Sequence, residues 1–231
     1  MKKTCAIIVA AGKSTRMGQN KQLIPLGSTT VIEYCINQFQ KTDAIDAIVV
    51  VTSRELISVL HNLNFSKIHK IVTGGNTRQE SVMHGLAAVP QDCEFIAIHD
   101  GARPFASSAL IKRVITSAHE VGAAVPVIPI TSTVKQIDSS GRIAETVDRD
   151  CLRLVQTPQI FEKNRYQQAL DEAITDHVDL TDDCQLFERL GWAIATVDGS
   201  EENIKLTTPF DIALAQIIAK RMDEYENRNR I

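Results

Sequence analysis

Short runs of apolar, largely β-branched residues alternate along this chain with longer segments in which apolar residues recur at helical spacing. In each short run, apolar side chains occupy both faces, which is typical of a strand buried inside a sheet. The predicted strands are residues 6–9, 45–51, 68–72, 95–98 and 123–127. The predicted amphipathic helices are residues 31–39, 54–63, 78–88 and 107–121. This alternation predicts an α/β fold, with a mainly parallel sheet covered by helices on both faces and a functional crevice at the carboxyl ends of the strands.

Residues 133–148 interrupt this alternation. Two short segments of mixed polarity flank the Ser-Ser-Gly sequence at 139–141, which is typical of a β-hairpin turn, and both are too polar for the centre of a sheet. We expect this hairpin to project from the sheet as an arm. The chain has 231 residues and is expected to form one domain spanning 1–231, with a solvated or frayed end over residues 220–231.

The composition argues against several classes of function. The 25 Lys+Arg residues face 28 Asp+Glu residues, and the formal net charge of −3 argues against capture of nucleic acid by the whole surface. No apolar run approaches the roughly 18 residues of a membrane span, so no membrane partner is expected. The five cysteines include no C-x-x-C pair, which argues against a disulfide framework or a zinc cage. Because no signal-peptide pattern is found, we expect a reducing, cytoplasmic location.

The segment that directly follows the first predicted strand, residues 10–21, combines small residues with three cations, Lys13, Arg16 and Lys21. Small residues allow backbone N–H groups to approach phosphate oxygens closely, and the cations offset phosphate charge. The segment is not a P-loop, since Ile7 takes the place of the first glycine, and it lacks the second glycine of a dinucleotide-binding fingerprint. A polyphosphate site is therefore predicted, with a solvated basic turn as the alternative.

A second motif, His99 to Pro104, follows the fourth predicted strand. Asp100 lies at the carboxyl end of that strand, where its carboxylate can hold Mg²⁺ directly or through a water molecule, and Arg103 can bind a phosphate. Together they indicate phosphate chemistry. The alternative is that Asp100 caps the next helix and Arg103 forms a surface ion pair. His99 is interpreted as a buried structural histidine without a catalytic role.

Eight motifs, in order between Thr4 and Ile218, together resemble the 2-C-methyl-D-erythritol 4-phosphate cytidylyltransferase family. They are Ala10-Ala11-Gly12 with Arg16-Met17-Gly18 and Lys21, Gly74-Gly75 with Arg78 and Ser81, residues 99–104, Thr133-Val134-Lys135, Val147-Asp148-Arg149, Gln156-Thr157-Pro158-Gln159, Thr181-Asp182-Asp183 and residues 203–207. The chain departs from the family pattern at Ser14, Asn76 and Arg153. The resemblance implies a Rossmann-like nucleotidyltransferase sheet. It also implies transfer of CMP from CTP to methylerythritol phosphate, with release of pyrophosphate, in the synthesis of isoprenoid precursors.

The resemblance further implies roles for individual residues. Four are implied to be catalytic: Arg16 and Lys21 would stabilise charge on the α-phosphate and the leaving pyrophosphate, and Arg149 and Lys205 would hold the incoming phosphate. The implied nucleotide contacts are Ala10, Ala11, Gly12, Gly75, Ser81 and Asp100. The implied contacts to the polyol phosphate are Asp100, Arg103, Thr133, Arg149, Thr157, Thr181 and Lys205. Mg²⁺ is the implied cofactor, with Asp100 as its ligand.

Other interpretations stay open. Ribitol 5-phosphate cytidylyltransferases resemble this family in fold and chemistry, and a catalytically silent nucleotide-binding regulator could use the same scaffold. The joint presence of Arg16, Lys21, Arg149 and Lys205 argues against the regulator, because a sensor needs nucleotide contacts but no clamp for a nucleophile. Thr181 could instead be an ordinary helix N-cap.

The arm leads to an expectation about assembly. Its apolar residues are Val134, Ile137, Ile143 and Val147. A small two-stranded hairpin cannot bury them by itself and is marginal in water, so the arm needs a partner surface. Thr133 and Arg149 flank the arm, and the resemblance assigns both to substrate binding. We therefore expect a homodimer in which each arm completes the neighbour's site, as the resemblance also implies.

Overall fold

The computed structural model describes residues 2–12, 20–178 and 180–228. The strands in these ranges are β1 (Thr4–Ala10), β2 (Pro25–Leu26), β3 (Thr29–Thr30), β4 (Ala47–Thr52), β5 (Ile68–Thr73), β6 (Phe95–Asp100), β7 (Ala123–Pro129), β8 (Val134–Ile137), β9 (Ile143–Val147), β10 (Arg153–Val155), β11 (Gln159–Glu162) and β12 (Ala195–Asp198). The helices are α1 (Val31–Lys41), α2 (Arg54–His61), α3 (Arg78–Leu86), α4 (Ser108–Val121), α5 (Lys163–Thr175), α6 (Cys184–Arg189) and α7 (Pro209–Arg228). Short 3-10 helices lie at Lys21–Leu23 and Arg149–Cys151.

Eight of the described strands form one mainly parallel sheet. Its order is β10-β7-β11-β6-β1-β4-β5, and β12 also pairs with β7. The β1–β4, β1–β6, β4–β5 and β7–β12 pairs are parallel. Strand β11 is inserted antiparallel between β6 and β7, and β10 is antiparallel to β7. The five predicted strands correspond to β1, β4, β5, β6 and β7, so the prediction of a mainly parallel α/β sheet is confirmed.

The strong alternation of side chains in the central strands builds a core on each face of the sheet. Along β1, Cys5 and Ile7 belong to the cluster that packs against α3, α5 and α6. Ala6 and Ile8 belong to the cluster that packs against α1, α2 and α4. All four residues are fully buried, as expected for a strand covered on both faces. The predicted helical layers on both sides of the sheet are therefore confirmed.

Helix α7 closes a third, smaller core around Phe105 and Leu206. Ala215 and Ala219 of this helix are fully buried there, and Met222 packs against the same cluster. The expected solvated or frayed end is helical over residues 220–228, which continue α7, and is solvated at Lys220, Arg221 and Glu224, whose side chains are exposed.

The predicted arm is the β8–β9 hairpin. These strands pair with each other in a separate two-stranded sheet, in the register Val134 with Val147 and Ile137 with Ile143. The side chains of Ile137 and Ile143 are 54% and 63% exposed. The hairpin is thus formed as predicted, and within the described chain Ile137 and Ile143 are exposed while Val134 and Val147 are half-buried.

Local sequence signals determine where the helices near the crevice begin. Helix α1 starts with a capping box, in which the Thr30 hydroxyl accepts from the Glu33 N–H and the Glu33 carboxylate accepts from the Thr30 N–H. Helix α3 is capped by Thr77, the residue before the helix, whose hydroxyl accepts from the Glu80 N–H at 3.0 Å. This cap brings Arg78, the first residue of α3, to the carboxyl edge of the sheet.

None of the helices that the structure describes combines the length and apolarity required to cross a bilayer.

Gly85 of α3 is expected to be required for close packing against the sheet. A Cβ at this position would lie 2.5 Å from Ile7 Cγ2 and 2.8 Å from Val51 Cγ2. Alanine would gain about 1 kcal/mol in helix propensity. Overpacking against two stiff, β-branched side chains costs about 1–3 kcal/mol, so Gly85→Ala should lower the free energy of unfolding by about 1 kcal/mol. Urea unfolding monitored by circular dichroism measures this difference, and a more stable variant would contradict the packing argument.

Candidate active site

A cavity of about 350 Å³ lies at the carboxyl ends of β1 and β6, beside the loop that follows β5. The described residues that line it are Val9, Ala10, Ala11, Gly12, Lys21, Gln22, Gly75, Asn76, Thr77, Arg78, Ser81, Asp100, Ala102 and Lys205. This is the edge where a parallel α/β sheet normally binds ligands. The structure therefore brings eight residues with predicted nucleotide-binding or catalytic roles to one cavity. Seven belong to the first three motifs and the eighth is Lys205: Ala10, Ala11, Gly12, Lys21, Gly75, Ser81, Asp100 and Lys205.

One wall of the cavity consists largely of backbone, because two chain segments approach each other closely. A Cβ added at Gly74 would lie 2.3 Å from Ala11 Cβ, and one at Gly75 would lie 2.3 Å from Glu80 Cβ. The Ser81 hydroxyl accepts from the Gly75 N–H at 3.1 Å and donates to the Thr77 carbonyl at 2.9 Å. Ser81 thus fixes the glycine loop, and only glycine fits at this distance from β1.

Asp100 is the only carboxylate among the described residues that line the cavity, and three cations surround it. Lys205 Nζ lies 2.7 Å from Asp100 Oδ2, Arg78 Nε lies 3.8 Å from Oδ1, and Arg103 Nε lies 3.9 Å from Oδ2. Burial by itself raises the pKa of the Asp100 carboxyl, but Lys205 and Arg78 outweigh it, so that the pKa lies below its usual value. Asp100 is therefore a carboxylate at neutral pH.

A series of buried hydrogen bonds fixes the backbone of Asp100 on the side away from the cavity. The Asp100 N–H donates to Thr157 Oγ1 at 3.1 Å, Thr157 Oγ1 lies 2.9 Å from His99 Nδ1, and His99 Nε2 lies 2.9 Å from the Arg103 carbonyl. Since a carbonyl only accepts, Nε2 must carry the proton and Nδ1 accepts from the Thr157 hydroxyl. Burial lowers the pKa of His99 to about 4, so the imidazole is neutral. The interpretation of His99 as a structural histidine is supported.

Two cations reach the cavity from opposite ends of the chain. Lys21 Nζ donates to the Leu206 carbonyl at 3.2 Å, so the 3-10 helix Lys21–Leu23 contacts the segment that carries Lys205. That segment is anchored by the Leu206 N–H, which donates to the Ala102 carbonyl at 2.9 Å. The two lysines therefore line the same cavity, although they are 184 positions apart in sequence.

Arg78 is the third cation that lines the cavity, and it connects α3 to the start of α6 on the same face of the sheet. Its Nη2 donates to Asp183 Oδ2 at 2.5 Å, and the Tyr166 hydroxyl donates to Asp183 Oδ1 at 2.6 Å. Burial lowers the pKa of the Arg78 guanidinium, but Asp183 outweighs this effect, and the net shift is upward. Arg78 is therefore charged at neutral pH.

Several predicted site residues lie away from the cavity. Arg103 is mostly buried and donates through Nη1 to the Asn203 carbonyl at 2.7 Å, while burial lowers its pKa. Thr157 lies beneath Asp100 and does not line the cavity. Thr181 is exposed, and its hydroxyl donates to Gln185 at 3.2 Å. The alternative that Thr181 is the N-cap is wrong, because Asp183 occupies that position in α6.

The residues that flank the arm also lie outside the described lining of the cavity. Arg149 is exposed and donates through Nη1 to the Thr131 carbonyl, and Thr133 is exposed near the base of β8. The remaining predicted catalytic residue, Arg16, lies outside the described residues. The roles assigned to Arg16, Thr133 and Arg149 stay predictions.

Some lining residues have no role in the sequence predictions, namely Gln22, Asn76, Thr77 and Arg78. The last three lie between the end of β5 and the first turn of α3. A search for polar residues directly after each predicted strand identifies them, because those positions fall at the carboxyl edge. Gln22 gives no such signal, since its burial results from the packing of the 3-10 helix.

The described donor set fits Mg²⁺ only as a phosphate-bound ion. Within the described residues, no group of three or more His, Cys, Asp and Glu side chains could hold a metal. Mg²⁺ in phosphate-transfer sites is commonly bound by one or two carboxylates together with substrate phosphates. Asp100, which faces the cavity, satisfies that pattern.

The fold and the cation-lined crevice define an α/β protein that binds a phosphorylated ligand, most simply a nucleotide. A family model of 2-C-methyl-D-erythritol 4-phosphate cytidylyltransferases matches residues 4–221 of this chain. The chain therefore belongs to the 2-C-methyl-D-erythritol 4-phosphate cytidylyltransferase family, and it is a nucleotidyltransferase enzyme.

Individual relatives agree with this assignment. A protein of this name from Caldanaerobacter subterraneus is 40% identical over 223 residues, which cover 94% of this chain and 98% of the relative. One from Desulforamulus reducens is 41% identical over 225 residues, which cover 94% and 95%. The crystal structure of 4-diphosphocytidyl-2C-methyl-D-erythritol synthase from Anaerococcus prevotii superimposes with a TM-score of 0.86 at 30% identity, covering 95% of this chain and 99% of that one.

The neutral, buried His99 leads to a prediction for the pH dependence of stability. Its pKa is about 4 in the folded protein against 6.5 ordinarily, so the unfolded chain binds more protons between these values. The resulting stability is fully present above about pH 6.5 and is lost as the pH falls toward 4. Between pH 7 and pH 5, His99 should account for a loss of about 2 kcal/mol.

Urea unfolding of the wild type and His99→Gln at pH 7, 6 and 5 measures this contribution as a difference between the two proteins. His119, whose pKa burial also lowers, is present in both and cancels. We expect the variant to lose less stability than the wild type over this range. Parallel curves would show that His99 is not the group responsible.

Proposed function

We propose that this protein transfers CMP from CTP to 2-C-methyl-D-erythritol 4-phosphate, giving CDP-methylerythritol and pyrophosphate for isoprenoid precursor synthesis. The observation that carries the proposal is a backbone-walled cavity in which Asp100 is surrounded by cations, in a chain whose family is defined by this reaction. No residue that lines the described cavity is a histidine, cysteine or tyrosine, and the chemistry below needs no protein nucleophile.

The reaction needs charge stabilisation more than proton transfer. An oxygen of the methylerythritol phosphate attacks the α-phosphorus of CTP, a new P–O bond forms, and the bond to the β-phosphate oxygen breaks as pyrophosphate leaves. A phosphate monoester with a second pKa of about 6 is mostly dianionic at pH 7, so no general base is required. The main obstacle is the approach of this dianion to a triphosphate, which positioned cations reduce.

The described residues are well suited to this task. The Ala10 to Gly12 segment and Gly75 allow close approach of the nucleotide to backbone N–H groups, and Ser81 fixes their spacing. Lys21 would stabilise charge on the triphosphate together with Arg16, and Lys205 would hold the incoming phosphate. Asp100 anchors Lys205 at 2.7 Å in the orientation that faces the cavity.

Mg²⁺ is proposed as the cofactor, with Asp100 as its protein ligand. When bound, the ion would neutralise phosphate charge and orient the triphosphate oxygens. Lys205, Arg78 and Arg103 lie within 4 Å of the carboxylate and, by keeping it ionised, would leave it able to bind the cation.

The polyol phosphate pocket is proposed to be completed by a second subunit. Arg149 and Thr133 are exposed and outside the described cavity, and the arm between them presents Ile137 and Ile143 to solvent. A homodimer in which the arms are exchanged would cover these residues and supply Arg149 to the neighbour's cavity. We propose a cytoplasmic location for the enzyme, in keeping with five free thiols.

The substrate assignment is tested by supplying purified protein with CTP, Mg²⁺ and either methylerythritol 4-phosphate or ribitol 5-phosphate. We expect pyrophosphate release with a higher kcat/KM for methylerythritol 4-phosphate, and loss of the activity after chelation of the metal. A higher kcat/KM for ribitol 5-phosphate would change the substrate while leaving the reaction class intact. Turnover of neither compound, with CTP still bound, would favour a nucleotide-binding regulator.

The shared site is tested by co-expressing Lys21→Ala and Arg149→Ala subunits, each inactive alone. In a heterodimer with exchanged arms, one of the two sites carries neither substitution. Random pairing should therefore restore about a quarter of wild-type activity. Co-expression of Lys21→Ala with Lys205→Ala subunits is the control, because both lysines line the cavity of the same subunit. Every site in that heterodimer lacks one of the two lysines, so no activity should return. Absence of recovery in the first mixture, or an active monomer in sedimentation, would contradict the exchange.

A further inference from the structure

Arg78 lies on the wall of the nucleotide cavity between two carboxylates that it contacts unequally. Its Nη2 is 2.5 Å from Asp183 Oδ2, whereas its Nε is 3.8 Å from Asp100 Oδ1. The guanidinium thus forms a short hydrogen-bonded ion pair with Asp183, whereas its ion pair with Asp100 is longer than a hydrogen bond. Because a guanidinium has five N–H donors in a planar fork, one bond to Asp183 leaves other donors directed elsewhere.

Asp183 does not line the cavity, and its side chain is only 5% exposed. Its second oxygen accepts from the Tyr166 hydroxyl at 2.6 Å, and Tyr166 is itself 1% exposed. The tyrosine ring packs against Phe161, with ring centroids 5.2 Å apart, which fixes the position of the hydroxyl. Both oxygens of this buried carboxylate are therefore committed, one to a rigid core residue and one to Arg78.

We propose that Asp183, held by Tyr166, is a positioning residue for the nucleotide: it fixes the Arg78 guanidinium at the cavity wall, where Arg78 donates to an oxygen of bound CTP. The choice of CTP as the ligand rests on the proposed function. Asp183 itself touches no substrate in this arrangement and acts through Arg78.

The charges around Asp100 explain why such a device is useful. Asp100 already has Lys205 at 2.7 Å and Arg103 at 3.9 Å. Without Asp183, the nearest carboxylate to Arg78 among the described ion pairs is Asp100. Arg78 would then turn toward Asp100, lose its present orientation in the cavity, and compete with Lys205 and Arg103 for that carboxylate. Asp183 prevents this by offering a shorter, buried, charge-assisted hydrogen bond.

Isothermal titration calorimetry of CTP binding to the full-length protein tests the proposal. Asp183→Asn should weaken CTP binding about tenfold, as expected for loss of a buried hydrogen bond between charged groups. The KM for CTP should rise by a similar factor and kcat should change less, because a displaced Arg78 removes nucleotide binding. Tyr166→Phe keeps the ring and removes one hydrogen bond to Asp183, so it should weaken CTP binding in the same direction, by about threefold.

A double-mutant cycle separates positioning from a general structural role. If Asp183 acts through Arg78, Asp183→Asn should change CTP affinity by less than about twofold once Arg78→Gln is present. Asp176→Asn is the matched control, since it removes the same charge from another Asp–Arg pair, Asp176 with Arg189 at 2.7 Å, on the protein surface. It should leave CTP affinity unchanged.

The inference is overturned if Asp183→Asn weakens CTP binding equally with and without Arg78, or if it lowers the thermal midpoint without changing CTP affinity. Should Asp183→Asn fail to fold, Tyr166→Phe decides, and an unchanged CTP affinity in that variant overturns the proposal. Because binding is measured without the second substrate, a wild-type protein that binds CTP but turns over neither polyol phosphate would disprove the proposed function and leave this result standing.

Discussion

The site depends on one mostly buried carboxylate, Asp100, which three basic side chains stabilise. The Asp100 side chain is 13% exposed, and an isolated carboxylate at that depth would be neutralised by protonation. Lys205, Arg78 and Arg103 offset the loss of hydration, and they come from the segment before α7, from α3 and from the loop after β6. The ionic cluster therefore ties together three parts of the chain, and two of these cations, Lys205 and Arg78, also line the space where phosphates would bind.

Beneath this cluster, hydrogen bonds that involve backbone carbonyls, an amide and a hydroxyl decide where its members lie. Asn203 Nδ2 donates to the Thr157 carbonyl at 2.9 Å, while Arg103 donates to the Asn203 carbonyl at 2.7 Å. The Thr157 hydroxyl in turn accepts a hydrogen bond from the Asp100 N–H. Asn203 and Thr157 are buried, so each bond lies in a medium where an unmade partner is costly. This explains why motifs more than 100 residues apart in sequence belong to one site: the intervening chain brings them into a single buried network.

Periodicity predicts the central strands because each is buried on both faces, which leaves a continuous apolar run in the sequence. It does not identify β10, β11 and β12, which have three or four residues each and so carry too little pattern. The site shows the same division. Asp100 and the Ala10 to Gly12 segment are predictable because they directly follow strong strands. The Asp183 contact to Arg78 is not predictable, because it depends on where the N-terminal ends of α3 and α6 lie on one face of the sheet, and no local sequence pattern encodes that.

The Asp100–Lys205 pair also constrains how a phosphate can enter. The Lys205 side chain is 44% exposed while Asp100 is 13% exposed, so the ammonium lies on the solvent side of the pair. An ammonium has three N–H donors, and the bond to Asp100 uses one of them. A dianionic phosphate approaching from the cavity therefore meets an ammonium whose rotamer is already selected by the carboxylate beneath it. Much of the conformational entropy of this long lysine side chain is therefore lost during folding and need not be lost again when phosphate binds. Lys205 is in this sense a preorganised cation.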